Sequence, residues 1–192
     1  MTANDLSSYM LLSLRFLLSP KHTPKIKMHT LRPYAHWFSH QRTNASLFRT
    51  VSFPDVLPRQ SSTFRVVEGD FLKLSPPPSG GYDYILTLFF IDTSLDVLST
   101  LSKIHSLLRP GGVWINLGPL LWTSGSQAKL EFSLEEVMSA VREAGFEVLG
   151  EEEEVEESLK MARRTVECEY TADREAMMRW VYRAEFWVAR KI

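Results

Sequence analysis

The chain has one cysteine, Cys168, in 192 residues. A single thiol excludes an internal disulfide and suits a reducing compartment, where a lone buried cysteine is a small apolar filler. Neither sign of charge is in excess: 22 Lys and Arg against 23 Asp and Glu leave −1. Bulk electrostatics therefore offers no route to nucleic acid or to an anionic membrane. No apolar run is long enough to span a bilayer. Leu11–Leu18 has the flavour of a secretory leader, but Asp5 precedes it where Lys or Arg would be needed, and Arg15 breaks it. It reads as part of an amphipathic helix, Asp5–Leu18, with Leu6, Met10, Leu14 and Leu17 on one face. Without a targeting segment the expected location is cytoplasmic, with the nucleus also open to it. The nine glycines form neither GxxxxGK followed by Ser or Thr nor GxSxG. Pro110-Gly111-Gly112 reads as a helix-to-strand turn rather than a phosphate cradle. There is no internal repeat.

What the chain does have is a unit from Tyr82 to Trp122. YDYILTLFFIDT is a nearly continuous apolar run ending in Asp92. Leu95, Leu98, Leu101, Ile104, Leu107 and Leu108 then recur at helical spacing. The Pro-Gly-Gly turn leads into a second apolar strand, Val113–Leu117. Strand, helix and strand in about forty residues is the length of one right-handed crossover. A strand apolar on both faces is expected inside a sheet covered by helices. Ligands of such sheets sit beyond the carboxyl ends of the strands, where Asp92 and the stretch from Asn116 to Trp122 fall. The class is α/β, and 192 residues with 44% hydrophobic content are expected to form a single domain.

Elsewhere the signals are shorter. Residues 24–60 carry four prolines, several Arg and His, and aromatics, with no sustained period. They read as a long ordered loop. Phe64–Glu68 is a short strand, and Ser75–Gly81 a surface turn. Phe132–Ala144 is a helix with Ser133 as N-cap, Glu136 completing a capping box and Gly145 as the stop. Phe146–Gly150, Arg163–Tyr170 and Tyr182–Arg190 read as strands, and Asp173–Val181 as a short helix or turn. The six glutamates of residues 151–157 read as a solvated strand end, because like charges on a surface repel rather than chelate.

Candidate chemistry starts with acids at strand ends. Asp70 follows one strand, Asp92 ends another, and Asp5 precedes a helix. Taken singly each is a cap or a turn; together they would line one edge of a sheet, where acids accept ribose hydroxyls and Asp70-Phe71 accepts from and packs on an adenine. His36 and His40 have the spacing of zinc ligands on a helix. With Trp, Phe and Ser between them they lack the general-base Glu, so they read as structural.

These residues together resemble the carnosine N-methyltransferase family. The resemblance rests on GDF (69–71), FFIDT (89–93), RPGGVWINLGPLLW (109–122), SLEEV with GF (133–146), the loop ending in FPDV, and the FWVARK ending. It covers nearly the whole chain. It implies an enzyme with a Rossmann-like methyltransferase sheet that uses S-adenosyl-L-methionine as methyl donor and a small imidazole dipeptide as acceptor, with no nucleic acid or membrane partner. By the same resemblance the chain is a single partial methyltransferase domain, residues 1–192. The family's first strand, glycine-rich loop and most of its second strand would precede it, along with the region through which relatives form a homodimer. Residue by residue, the resemblance implies that Asp5, Asp70 and Phe71 bind the cofactor. It gives Asp92 as the catalytic and substrate-binding aspartate, with Tyr170 and Tyr182 around the substrate. Where the family has a histidine two residues after GPLL, this chain has Thr123, which hydrogen-bonds but cannot share a proton near neutral pH. Two alternatives stand beside this reading: a methyltransferase for another small nitrogen nucleophile, and a non-catalytic interaction protein.

Overall fold

The computed structural model describes residues 1–58, 61–122, 127–150, 161–170 and 173–192, the side chain of Tyr170 excepted. The chain forms two compact units: Met1–Lys73 with Thr171–Trp180, and Leu74–Tyr170 with Val181–Ile192.

The first unit opens with strand β1 (Thr2–Asp5), followed by helix α1 (Ser8–Leu18). The helix starts later than its periodicity predicts, because Asp5 accepts the Ser7 N–H and Ser7 caps the helix. The buried stripe differs as well. Leu11 is buried and Leu14, Leu17 and Leu18 are half-buried, whereas Leu6 and Met10 are exposed. The stretch read as an irregular loop holds three short elements: β2 (His29–Leu31), α2 (Asn44–Leu47) and β3 (Val51–Phe53). β2 and β3 pair antiparallel. His36 and His40 lie outside these helices, and His40 has φ 66°. Arg49 bridges Asp173 and lies 3.6 Å from the Tyr34 ring centre, while Gln41 donates to Asp173 at 2.9 Å. Strand β4 (Arg65–Glu68) runs parallel to β1, with Asp5 opposite Glu68. A 3₁₀ turn, Phe71–Lys73, follows it.

The second unit contains the crossover. β5 (Tyr82–Leu88) passes through a 3₁₀ turn, Ile91–Thr93, into α3 (Val97–Leu107) and then β6 (Leu108–Gly118), which lies parallel to β5. Asp96 caps α3, so the helix begins after Leu95 and ends before Leu108. α4 (Leu134–Glu143) has the full Ser133–Glu136 capping box, and Gly145 follows it at φ 90°. β7 (Phe146–Val148), β8 (Arg163–Tyr170) and β9 (Trp180–Lys191) complete a five-stranded mixed sheet in the order β5-β6-β9-β7, with β8 also on β9. No described helix is long and apolar enough to cross a membrane.

Sheet alternation places Thr87, Trp114, Asn116, Trp187 and Ala189 on one face. These five side chains are buried, as are Val97, Leu101 and Ile104 of α3 and Val137 and Val141 of α4. α3 packs on β6, and α4 on β7 and α3. The opposite face of β5 is bare: Tyr84, Leu86 and Leu88 are 63%, 72% and 67% exposed. β5 therefore does not lie inside the sheet as its apolar run suggests. Among the described residues it is an edge strand.

Two glycines set the crossover's return. A Cβ on Gly81, at φ 130°, would stand 2.4 Å from the Arg109 nitrogen, and one on Gly112 would stand 2.8 Å from the Arg109 oxygen. Here the β5–β6 register jumps from Tyr82–Leu108 to Tyr84–Val113. The backbone contact leaves Gly81→Ala no room to relax. It is expected to cost about 1–3 kcal/mol, read as a lower urea midpoint at unchanged m-value.

Candidate functional site

The site in the second unit is built where β5 and β6 run out. Phe89, the residue after β5, has φ 49° and donates its N–H to Leu117 at 2.8 Å. The end of β6 comes close here: a Cβ on Gly118 would lie 3.1 Å from the Phe89 Cα, so a larger residue would push the two strand ends apart by a few tenths of an ångström. The chain then folds into the 3₁₀ turn that carries Asp92. This carboxylate is 4% exposed. Its Oδ2 accepts the Leu121 N–H at 3.1 Å. Among the described residues no Lys, Arg or His forms an ion pair with it. Burial pushes the Asp92 carboxyl above the ordinary carboxylate range, and backbone hydrogen bonds, that from Leu121 first, offset part of the rise.

Tyr182 meets this region from β9. Gly118 pairs with Glu185, so Tyr182 lies three residues beyond the β6 pairing, at the end where the site forms. Its ring sits edge-on to Phe89 at 5.7 Å, placing it beside the residue three before Asp92. A cleft of about 410 Å³ opens past the same strand end, lined by Gly118, Pro119, Phe132, Arg183 and Glu185 among others. Behind it, Trp114 Nε1 donates to Thr87 Oγ1 at 2.8 Å, and Thr87 donates to Asn116 Oδ1 at 2.7 Å. This relay ties both strands together beneath the site.

In the first unit, Asp5 and Asp70 stand at the carboxyl ends of two neighbouring parallel strands. The Gly69 N–H donates to the Asp5 carbonyl at 3.0 Å. Each carboxylate has one oxygen taken by local backbone: Asp5 Oδ1 by Ser7 at 2.7 Å, Asp70 Oδ1 by Leu72 at 2.9 Å. Lys73 lies 3.9 Å from Asp70 Oδ2. A Cβ on Gly69, at φ 151°, would meet nothing within 4 Å. Phe71 opens the 3₁₀ turn beside them and is half-buried. The three acids thus divide: Asp5 ends and Asp70 follows the strands of the two-stranded β1–β4 sheet, and Asp92 follows β5 of the five-stranded sheet. Thr123, the glutamate run and the side chain of Tyr170 lie outside the described residues.

Sequence reasoning missed three participants. The Leu121 N–H that holds Asp92 leaves no trace in residue type. The positive φ of Phe89 is not written in FF. Thr87 looked like one polar residue in an apolar strand, and that interruption was the available sign of a buried hydrogen bond.

A family model for carnosine N-methyltransferase matches residues 1–192. The carnosine N-methyltransferase of Mus musculus is 34% identical over 98% of this chain and 45% of its own length. That of Schizosaccharomyces pombe is 31% identical over 97% of this chain and 51% of its own. The chain thus spans about half the length of the curated relatives it matches. A SAM-dependent methyltransferase from Methanosarcina mazei superposes over 100% of this chain and 81% of its own with a TM-score of 0.54, at 13% identity. That likeness identifies the fold alone: the mixed α/β sheet is part of a Rossmann-like methyltransferase fold. Matched by the family model from end to end, the chain belongs to the carnosine N-methyltransferase family.

Proposed function

We propose that the chain carries the acceptor site and the adenosine-side acids of an S-adenosylmethionine-dependent N-methyltransferase. Its substrate is a small imidazole dipeptide such as carnosine, giving anserine. The observation that carries this is Asp92: a buried carboxylate at the carboxyl end of a parallel strand, held by backbone N–H groups and without a cationic partner among the described residues. Such a group accepts a hydrogen bond from a neutral heterocycle strongly, because little solvent competes.

The residues present fit the adenosine half of the donor. Asp5 and Asp70 each keep an oxygen beyond their backbone anchor. They would accept from the ribose hydroxyls and the adenine amino group, and Phe71 would pack on the base. Bound there, S-adenosylmethionine supplies an electrophilic methyl carbon. The remaining work belongs to the chain. Asp92 accepts the N–H of the non-reacting imidazole nitrogen, which fixes the tautomer and leaves the other nitrogen unprotonated. Positive charge growing on the ring is offset by the same carboxylate. Tyr182 and Tyr170 orient the ring, and Thr123 supplies a hydroxyl where the family resemblance implies a histidine. Thr123 also favours a second reading, in which the acceptor is another small nitrogen nucleophile.

The test joins residues 1–192 to the part of the mouse relative that the match leaves uncovered. Labelled methyl transfer is then measured against imidazole dipeptides and a panel of other amines. Transfer to carnosine at the highest kcat/KM supports the reading. Preference for a non-imidazole amine supports the second. Titration of the donor without heat, with no transfer to any acceptor, overturns both and leaves the interaction-protein alternative.

A further inference from the structure

Asp173 is the centre of a polar network in the first unit. Its Oδ1 takes the Arg49 guanidinium and the Glu175 N–H, the latter at 3.1 Å. Its Oδ2 accepts from Gln41 Nε2 at 2.9 Å. Arg49 also donates to the Ser46 carbonyl at 2.6 Å, lies 3.7 Å from Glu175 and stacks over the Tyr34 ring. Alongside, the Met177 N–H donates to the His40 carbonyl at 2.7 Å. The Arg49 and Asp173 side chains are only 21% and 12% exposed. An exposed ion pair contributes little. A largely buried one with both carboxylate oxygens occupied holds its geometry, and losing one partner strands the other. Lysine does not replace Arg49 here, because several N–H groups reach several acceptors while the planar group covers a ring.

The network joins two stretches of chain 124 residues apart. One is the loop from Tyr34 to Arg49. The other, residues 173–179, is neither helix nor strand, and bonds of this kind set the course of such a loop. Residues 171–179 connect β8 to β9, which are neighbours in the sheet. Tyr170 ends β8, and Tyr182 is the third residue of β9. The Arg49–Asp173 clasp therefore holds a connection with one acceptor-site tyrosine on each flank. The pairing of β9 with β6 begins only at Glu185, beyond Tyr182.

We propose, on the acceptor reading given above, that Arg49 is a positioning residue for methyl transfer. Through Asp173 it fixes the connection between β8 and β9, and so the placement of the tyrosines that orient the acceptor ring. In this role Arg49 touches neither donor nor acceptor. A small displacement of an orienting group lowers turnover steeply, because the reacting nitrogen must face the methyl carbon in line. A purely structural clasp would act differently. Asp5 and Asp70 belong to the same unit as the clasp, so general loosening of that unit would weaken donor binding as well.

Hydrogen exchange and kinetics test this together. In the 192-residue chain, Arg49→Met and Asp173→Asn are each expected to speed exchange of the Met177 amide at least about tenfold, with the α3 and α4 amides unchanged. In the joined chain, each is expected to lower kcat/KM for the acceptor about tenfold, with the donor's dissociation constant unchanged by calorimetry. The double variant should lose no more than the worse single one, since one clasp opens only once. Arg49→Lys keeps the charge without the fork and is expected to fall between the parent and Arg49→Met, so a misfolded Arg49→Met leaves the test in place. Unchanged Met177 exchange overturns the proposal. So do unchanged acceptor kinetics, or a loss shared equally by donor binding. A parent joined chain that transfers to no acceptor is a different failure: it removes the proposed function, and the positioning role falls with it.

Discussion

Asp92→Asn is expected to melt at a higher temperature than the parent at neutral pH while losing methyl transfer by about a hundredfold or more. The two effects share one cause. Burial raises the Asp92 carboxyl above its ordinary range, so the folded chain holds its proton more tightly than the unfolded chain. Where the folded state binds more protons, stability falls as pH rises. The sign is therefore opposite to that of a salt-bridged aspartate. The contribution is most favourable below the ordinary carboxylate pKa and is lost as pH climbs through the raised value. Asparagine has the same shape, stays neutral and still offers Oδ1 to the Leu121 N–H. It removes the cost of burying a charge, and with it the charge that stabilises the imidazolium-like product. Thermal melts of both proteins from acidic to neutral pH, using the 192-residue chain, check the first half: the gap should close toward acid. Turnover of the joined chain checks the second half, with donor affinity unchanged. A variant that melts lower across the whole range would place Asp92 among the structural carboxylates.

Trp114→Ala is expected to cost about 3–5 kcal/mol, the range for truncating a fully buried tryptophan. Trp114 is 0% exposed and sits at the centre of the described core. Its indole meets Trp187 edge-on at 5.4 Å and Phe146 at 5.5 Å. Truncation leaves a void between the sheet and the helices and also removes the donor to Thr87 Oγ1. Thr87 and Asn116 are themselves buried, so the loss reaches the strand ends that carry the site. Trp114→Phe keeps most of the volume and loses the hydrogen bond, and so should cost a smaller part of the same total. Urea unfolding of the three proteins separates packing from hydrogen bonding. Equal losses for Ala and Phe would assign the whole effect to the Nε1–H.

How far the sequence could be read follows from the range of each signal. The α3 crossover and the Ser133–Glu136 cap are local: their apolar spacing and cap chemistry lie within a dozen residues. The cap appears where expected, and α3 follows β5 as expected, but the Pro110-Gly111-Gly112 stretch read as a turn stands inside β6, where the β5–β6 register jumps. β9 was legible as a strand for the same reason. β1 was not, because Thr2–Asp5 is a strand only through its pairing with β4, more than sixty residues away. β2 and β3 are three residues each and depend on each other across some twenty residues that hold only the short helix α2. The greatest divergence is β5. Its apolar residues on both faces fit a covered interior strand, yet it is an exposed edge. A strand's own sequence reports the environment it requires. What supplies that environment lies outside the strand's own residues. The site shows the same division. Asp92 could be singled out by residue type and position, but the backbone N–H of Leu121 that holds it comes from a loop 29 residues on.

The most direct test of the account is the position of the methyl group on the product. Carnosine is incubated with labelled S-adenosylmethionine and the joined chain, and the product is analysed by NMR. The account predicts one methyl group on an imidazole nitrogen, with that product lost in Asp92→Asn. A methyl group on the dipeptide's amino nitrogen, or ring methylation that survives Asp92→Asn undiminished, would contradict it.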